Sequence, residues 1–333
     1  MVTQIVAIDI GGTHARFCLA HIGDDGSIEL DEPVTLPTEA YEGVESALAE
    51  FAKRSVGPLP ENLSFAVAGR ADGDVIRFTN NSWIIDRAAL TEKFRLARIA
   101  IVNDFEAVAH CIARADDTQF VHLTGPDRPL ASTGTLSVLG PGTGLGVAHL
   151  HRRSPQSYRV TATEGGHVDF APVDAIDDAI LAHLRTKHAR VSAERVVAGP
   201  AIADIYKVLC TRKGVPVDET HDVTIWTRGL KREDALAAAA VERFCLSLGS
   251  VAGDVALAQG GFGGVVIAGG VGSRLRDRLP QSGFATRFCA KGRFRSLMET
   301  IPVKLVIHPQ PGLFGAAAAF ALQHLTPADE GQS

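Results

Sequence analysis

A chain of 333 residues, 46% hydrophobic and 21% charged, has the balance of a globular protein with enough length for two cores. Its formal net charge of -5 leaves no broad basic face, which excludes nucleic acid as an expected partner. The start, Met1-Val2-Thr3-Gln4, lacks the basic flank and long apolar core of a signal peptide, and no uncharged apolar run reaches membrane-spanning length. The cysteines at 18, 111, 210, 245 and 289 are odd in number and never in Cys-x-x-Cys spacing. They read as reduced thiols of a cytoplasmic protein, with neither a disulfide frame nor a zinc site.

Ile5 to Ile10 is a buried strand broken by Gly11-Gly12, and residues 15–20 alternate as the returning strand of a hairpin. A third strand fits 28–36. Over 41–55, Val44, Leu48 and Phe51 share one face, which predicts an amphipathic helix ended by Gly57-Pro58-Leu59-Pro60. Residues 63–68 form a fourth strand, 86–94 a second helix and 98–102 a fifth strand. That strand stops at Asn103-Asp104, after which Phe105, Val108, Ala109 and Ile112 recur at helical spacing. The order β-β-β-α-β-α-β-α predicts a mixed sheet flanked by helices.

Beyond residue 117 the pattern restarts. A strand at 136–139 enters Gly140-Pro141-Gly142-Thr143-Gly144-Leu145-Gly146 and continues as a strand over 147–150, repeating the opening unit. Two copies of one unit predict a duplicated, two-lobed architecture. Helices follow over 175–188, 201–212 and 233–258. In the last, Glu242, Arg243 and Asp254 speak against a membrane, so Gly249 and Gly253 predict close helix packing. Then come strand 265–268 with Gly269-Gly270, strand 303–308 and helix 313–325 entered through Pro311-Gly312. The polar tail 326–333 is expected to fray.

The chemistry concentrates at the turns. Asp9-Ile10-Gly11-Gly12-Thr13 sets a carboxylate before two glycines, whose N–H groups can close on a phosphate. A carboxylate beside such a turn suits hydrated Mg²⁺, which takes one or two carboxylates plus phosphate oxygens. Gly142-Thr143-Gly144 repeats the phosphate chemistry. Alone, either turn is ordinary hairpin geometry, and Asp104 alone is an ordinary helix cap. Glu164-Gly165-Gly166-His167 is a polar turn offering a carboxylate and an imidazole to a hydroxylated ligand, or else a solvated surface turn. Glu194 sits in the first turn of a helix on the plainer reading. No Gly-x-x-x-x-Gly-Lys-Ser/Thr loop, dinucleotide fingerprint or protein-kinase signature occurs.

Asp9-Ile10-Gly11-Gly12-Thr13, Asn103-Asp104-Phe105, the run 140–150, Glu164 to Pro172, Val191 to Val196 and Pro311 to Ala316 together resemble the bacterial ATP-dependent glucokinase family, over residues 4–325. The block Glu-Gly-Gly-His-Val-Asp-Phe-Ala-Pro is its most diagnostic piece. His14 departs from the commoner family form, which has Asn there. The zinc-binding cysteine cluster of the separate repressor–kinase sugar kinases is missing.

The resemblance implies an α/β, two-lobed actin-like ATPase (ribonuclease H-like) fold with mixed sheets and an active-site cleft between lobes. The small lobe would hold 2–114 plus 309–325, the large lobe 115–308. It implies phosphoryl transfer from ATP to D-glucose with Mg²⁺, and a homodimer without nucleic acid or membrane. By the same carry-over Asp104 is the general base. Asn103 binds the O3/O4 side of the sugar, and Glu164, His167 and Glu194 the O1–O3 side. Asp9 holds Mg²⁺ through water. Ile8, Asp9, Ile10, Gly11, Gly12, Thr13, Gly142, Thr143 and Gly144 surround the nucleotide phosphates, and Gly269-Gly270 lies near the adenosine. Two rivals keep part of the pattern: a kinase of the same fold for another hexose, and an actin- or Hsp70-like nucleotide switch that needs no sugar ligands.

Overall fold

The opening apolar run becomes strand β1, Val2–Ile10, in the computed structural model, which describes residues 2–69, 71–78, 81–154, 157–217 and 221–326. The chain divides into two compact units, one of Met1–Ala115 with His308–Ser333 and one of Asp116–Ile307. In the first, β1 turns into β2, His14–Gly23, as an antiparallel hairpin, and β3, Ile28–Leu30, and β4, Val34–Pro37, both pair with β2. The single strand expected over 28–36 is therefore two. Pro33, which has no N–H to give a ladder, lies in the break.

On the other side of β1 lie β5, Asn62–Val67, and then β8, Arg98–Asn103, both parallel. Between them β6, Val75–Arg77, and β7, Ile84–Asp86, make a small antiparallel hairpin that the apolar pattern did not disclose. Strand alternation gives this sheet two apolar faces. Ile8, Ile10, Phe17 and Phe65 pack with Leu48 and Phe51 of the helix Val44–Arg54. Ile5, Ala7, Ala66, Ala100 and Val102 pack with the helix Pro311–His324 from the far end of the chain. That helix is anchored where the Ser64 hydroxyl donates to the Ala316 carbonyl at 2.6 Å. A Cβ on Gly315 would lie 1.7 Å from the Ala107 carbonyl oxygen, so this helix and Asp104–Arg114 meet backbone to backbone.

The strands of the second unit are β9, Phe120–Thr124; β10, Gly134–Pro141; β11, Leu145–Arg152; β12, Tyr158–Thr163; β13, Gly264–Ile267; and β14, Val303–Val306. They build one sheet in the order β12-β11-β10-β13-β14-β9. From β12 to β14 the pairings run antiparallel, antiparallel, parallel, parallel. The path β3-β2-β1-β5-β8 runs the same way, which bears out the duplication read from the two glycine turns. β9 and β12 were not anticipated. Neither was the helix Asp222–Leu230.

The 25-residue helix Ala235–Gln259 is apolar enough to cross a membrane, yet most of it is buried in this unit. Gly249 and Gly253 serve close packing, as expected. A Cβ there would come within 2.2 Å of the Phe284 carbonyl oxygen and 2.6 Å of that of Phe288. Arg243 of this helix reaches Asp174 at 2.7 Å and Asp177 at 3.2 Å, while Arg287 reaches Asp177 at 3.0 Å and also bonds Asp174. Of the expected frayed tail, 327–333 lie outside the described residues, and the Thr326 N–H is bonded to the Ala321 carbonyl at 3.0 Å.

Candidate active site

In the first unit, Ile10, Val67 and Asn103 stand in register at the carboxyl ends of three parallel strands, where open α/β sheets present functional groups. The helix that follows β8 is capped by Asn103, whose Oδ1 accepts the N–H groups of Phe105 at 2.9 Å and Glu106 at 3.2 Å. Its Nδ2 donates to the Gly69 carbonyl at 2.9 Å. Asn103 thus takes the cap duty that the plainer reading gave to Asp104. The Asp104 carboxylate, half-buried at the first helical position, accepts the neighbouring Phe105 N–H at 2.8 Å and is also hydrogen-bonded by the Asn103 side chain. Burial pushes its pKa up to about 6, and the Asp9 charge adds to the rise against the Phe105 bond. A carboxyl group poised there is ionised at neutral pH and remains a competent proton acceptor.

Asp9 is also raised by burial, opposed by Arg16, whose Nη1 lies 3.3 Å from Asp9 Oδ2. Arg16 escaped the sequence reading. The signal was present in the hairpin register, which sets it directly across from Asp9. The helix Pro311–His324 starts against the same carboxylate, since a Cβ on Gly312 would lie 2.7 Å from Asp9 Oδ2. Among the described residues no three His, Cys, Asp or Glu side chains gather as a metal cage. One carboxylate beside a phosphate turn instead fits a hydrated Mg²⁺, which keeps several waters.

The first glycine turn is held by its carbonyls. Gly11 O accepts from Asn81 Nδ2 at 3.1 Å, Gly12 O from the Thr38 hydroxyl at 2.9 Å and Thr13 O from the Thr38 N–H at 2.9 Å. The Gly11 N–H is spent on the His14 carbonyl at 2.9 Å, while the Gly12 and Thr13 N–H groups have no partner among the described residues. Two adjacent donors without a partner on a turn are the arrangement that an anion nest requires. His14, at the departure from the family pattern, sets its ring 3.0 Å from the Thr13 hydroxyl. Ile8 and Ile10 can meet a nucleotide only through their backbone. Both side chains are wholly buried in the apolar core, because alternate β1 residues face inward.

In the second unit four sequence-predicted pieces come together around the backbone of Pro141 to Leu145. The turn repeats the first: Gly142 N–H closes on the Gly144 carbonyl at 2.8 Å, and the Thr143 and Gly144 N–H groups have no partner among the described residues. Glu194, in the short helix Glu194–Val197, accepts the Leu145 N–H on Oε2 at 2.9 Å. The Glu164 to His167 segment is a single tight turn rather than a longer helix, which excludes the Glu-x-x-His metal geometry. A Cβ on Gly166 would lie 2.3 Å from the Leu145 carbonyl oxygen, so the turn rests on β11 only because glycine is there. Glu164 and His167 stand in the solvent, 3.7 Å apart at their nearest charged atoms. Gly269, at φ +78, opens the helix Gly269–Arg274 and would press a Cβ to 2.7 Å from the Pro141 carbonyl oxygen.

A sequence profile of the family described as Glucokinase matches residues 6–323. The glucokinase of Zymomonas mobilis subsp. mobilis is 49% identical over 318 residues, 96% of this chain and 98% of that one. The glucokinase of Paramagnetospirillum magneticum is 39% identical, covering 95% and 97%. Among solved structures, a glucokinase from an Antarctic psychrotroph superposes with a TM-score of 0.85 at 32% identity, covering 95% of this chain and 98% of that one. A ROK family glucokinase from Streptomyces griseus, in complex with glucose and AMPPNP, shares the fold at a TM-score of 0.60 and 18% identity, covering 94% and 98%. With its actin-like ATPase architecture and a family match along nearly its whole length, the chain belongs to the glucokinase family.

Proposed function

We propose that the protein transfers the terminal phosphoryl group of ATP to the O6 hydroxyl of D-glucose. The observation that carries this reading is the pairing of Asn103 as cap with Asp104 as a half-buried carboxyl group whose pKa sits at about 6. Phosphoryl transfer asks little covalent chemistry of a protein: it needs in-line placement, neutralised charge and one group to take the hydroxyl proton. Asp104 takes that proton. Asn103 binds the O3/O4 side of the sugar, and Glu164, His167 and Glu194 the O1–O3 side. Gly11, Gly12 and Thr13 and Gly142 to Gly144 supply N–H groups to phosphate oxygens, with Gly269-Gly270 toward the nucleoside. Asp9 would hold Mg²⁺ through water, and the ion when bound would neutralise charge on the transferring phosphates.

The acid limb of the pH profile follows from Asp104. A base must be ionised to accept a proton, so kcat/KM stays level above its pKa and falls about tenfold per unit below it. The break is expected near pH about 6, well above an ordinary aspartate. An acid limb breaking near 4 would remove Asp104 from the proton transfer.

Choice of sugar tests the substrate. Polar side chains aimed at hydroxyls are left unpaired by an epimer, at a cost of about 1–3 kcal/mol each. Mannose, altered at C2, unsettles the Glu164/His167/Glu194 contacts, and galactose, altered at C4, the Asn103/Asp104 contacts. A coupled assay of ADP release is expected to show glucose preferred over both by at least about tenfold in kcat/KM. Parity with either would overturn glucose as the substrate and leave the kinase standing.

A further inference from the structure

Glu194 has two carboxylate oxygens, and the protein itself already uses one. Oε2 accepts the Leu145 N–H at 2.9 Å, immediately after the turn whose Thr143 and Gly144 N–H groups have no partner among the described residues. The approach depends on glycine at 144, where a Cβ would stand 2.6 Å from that oxygen. From the same side, Gly199 N–H donates to the Gly142 carbonyl at 2.7 Å, and Trp226 Nε1 donates to the Gly199 carbonyl at 3.0 Å. Thr143 and Glu194 also line one hollow of about 90 Å³, so both face a common space. Without the Glu194 bond, the Leu145 N–H at the end of the turn would lose its side-chain partner.

We propose that Glu194 is a positioning residue for the nucleotide phosphates as well as a sugar ligand, holding the second glycine turn in shape through the Leu145 N–H while its other oxygen faces the sugar. The sugar half of this statement rests on the reading of the protein as a glucose kinase; the turn half rests only on its use of ATP at the second glycine turn. A donor pair fixed before the anion arrives costs no ordering on binding, whereas a loosened turn must be ordered at that moment. One carboxylate thereby serves both substrates, and its loss is felt by the nucleotide even when no sugar is present.

The test is calorimetric titration of the full chain with MgAMPPNP in the absence of sugar, and separately with glucose in the absence of nucleotide. Glu194→Ala is expected to weaken the nucleotide by about five- to tenfold, less than the full worth of a charge-assisted hydrogen bond because the loss reaches the phosphates only through the turn. Glu194→Gln keeps an amide oxygen for the Leu145 N–H and is expected to bind the nucleotide within about twofold of wild type while still losing glucose affinity. Gly144→Ala, in a backbone conformation open to alanine, pushes the carboxylate off the turn and should reproduce the nucleotide loss. Wild-type nucleotide affinity in folded Glu194→Ala, or equal losses in the Ala and Gln variants, would overturn the positioning role. Wild-type protein that binds the nucleotide and ignores glucose would instead overturn the sugar reading, leaving the turn half intact.

Discussion

Asp104→Asn is expected to lower kcat by about 10²–10⁴ and to change glucose binding far less, because it removes the proton acceptor and keeps the shape. The helix should not notice. Its cap is Asn103, with bonds to the Phe105 and Glu106 N–H groups, and an asparagine oxygen at 104 can still accept the Phe105 N–H. The variant therefore separates chemistry from folding. The measurement is single-turnover phosphorylation beside glucose titration, with thermal unfolding as a control. Turnover above roughly a third of wild type, against the about hundredfold loss expected of a missing base, would reduce Asp104 to a structural residue.

Arg243→Met is expected to cost the second unit about 3–5 kcal/mol, the usual penalty for stripping one partner from a buried ion pair. Arg243 is 8% exposed and Asp177 only 2%. With the arginine gone, Asp177 keeps Arg287 at 3.0 Å as its one ionic partner among the described residues. Methionine matches much of the apolar stem, so the loss reports the charge rather than a cavity. For a unit of this size the midpoint of thermal unfolding should fall by about 6–20 °C. A loss below about 1 kcal/mol in urea titration would show that Arg287 alone satisfies both aspartates.

Acid should find the same cluster. Burial alone would raise Asp174, but Arg243 and the N–H groups of Asp177 and Ile176 bring it down to about 2. A carboxyl group lowered on folding stabilises above its unfolded value, and that stability is lost as pH falls through the folded one. The window therefore runs from about pH 4 down to about 2. Arg243→Met should flatten it.

What could be read from the chain beforehand was local. Gly11-Gly12 and Gly142-Thr143-Gly144 announce hairpins because only a few residue types turn so tightly, and the stop at Asn103-Asp104 marks a strand end. Strands of three residues, such as β6 and β7, leave too short an alternation to distinguish from a loop. The division of labour between Asn103 and Asp104 was hidden as well, since both are good caps and only the backbone course decides which one caps. The Glu194 bond to Leu145 spans 49 positions, and the Asp9 contact with Gly312 about 300, so no window along the sequence contains either. Long-range pairs of this kind are a product of topology.

The helix Pro311–His324 has a consequence for how the protein is made. A ribosome delivers residues 2–115 first, with Ile5, Ala7, Ala66, Ala100 and Val102 lacking the helix that covers them. Residues 116–307 are contiguous and can close as soon as they emerge. The first-made part is thus the last to be finished, and until then its bare apolar face is a site for chaperones or aggregation. Gly312 reaches Asp9 only at that final step. A nascent or prematurely terminated chain therefore carries an incomplete surround for its acidic group.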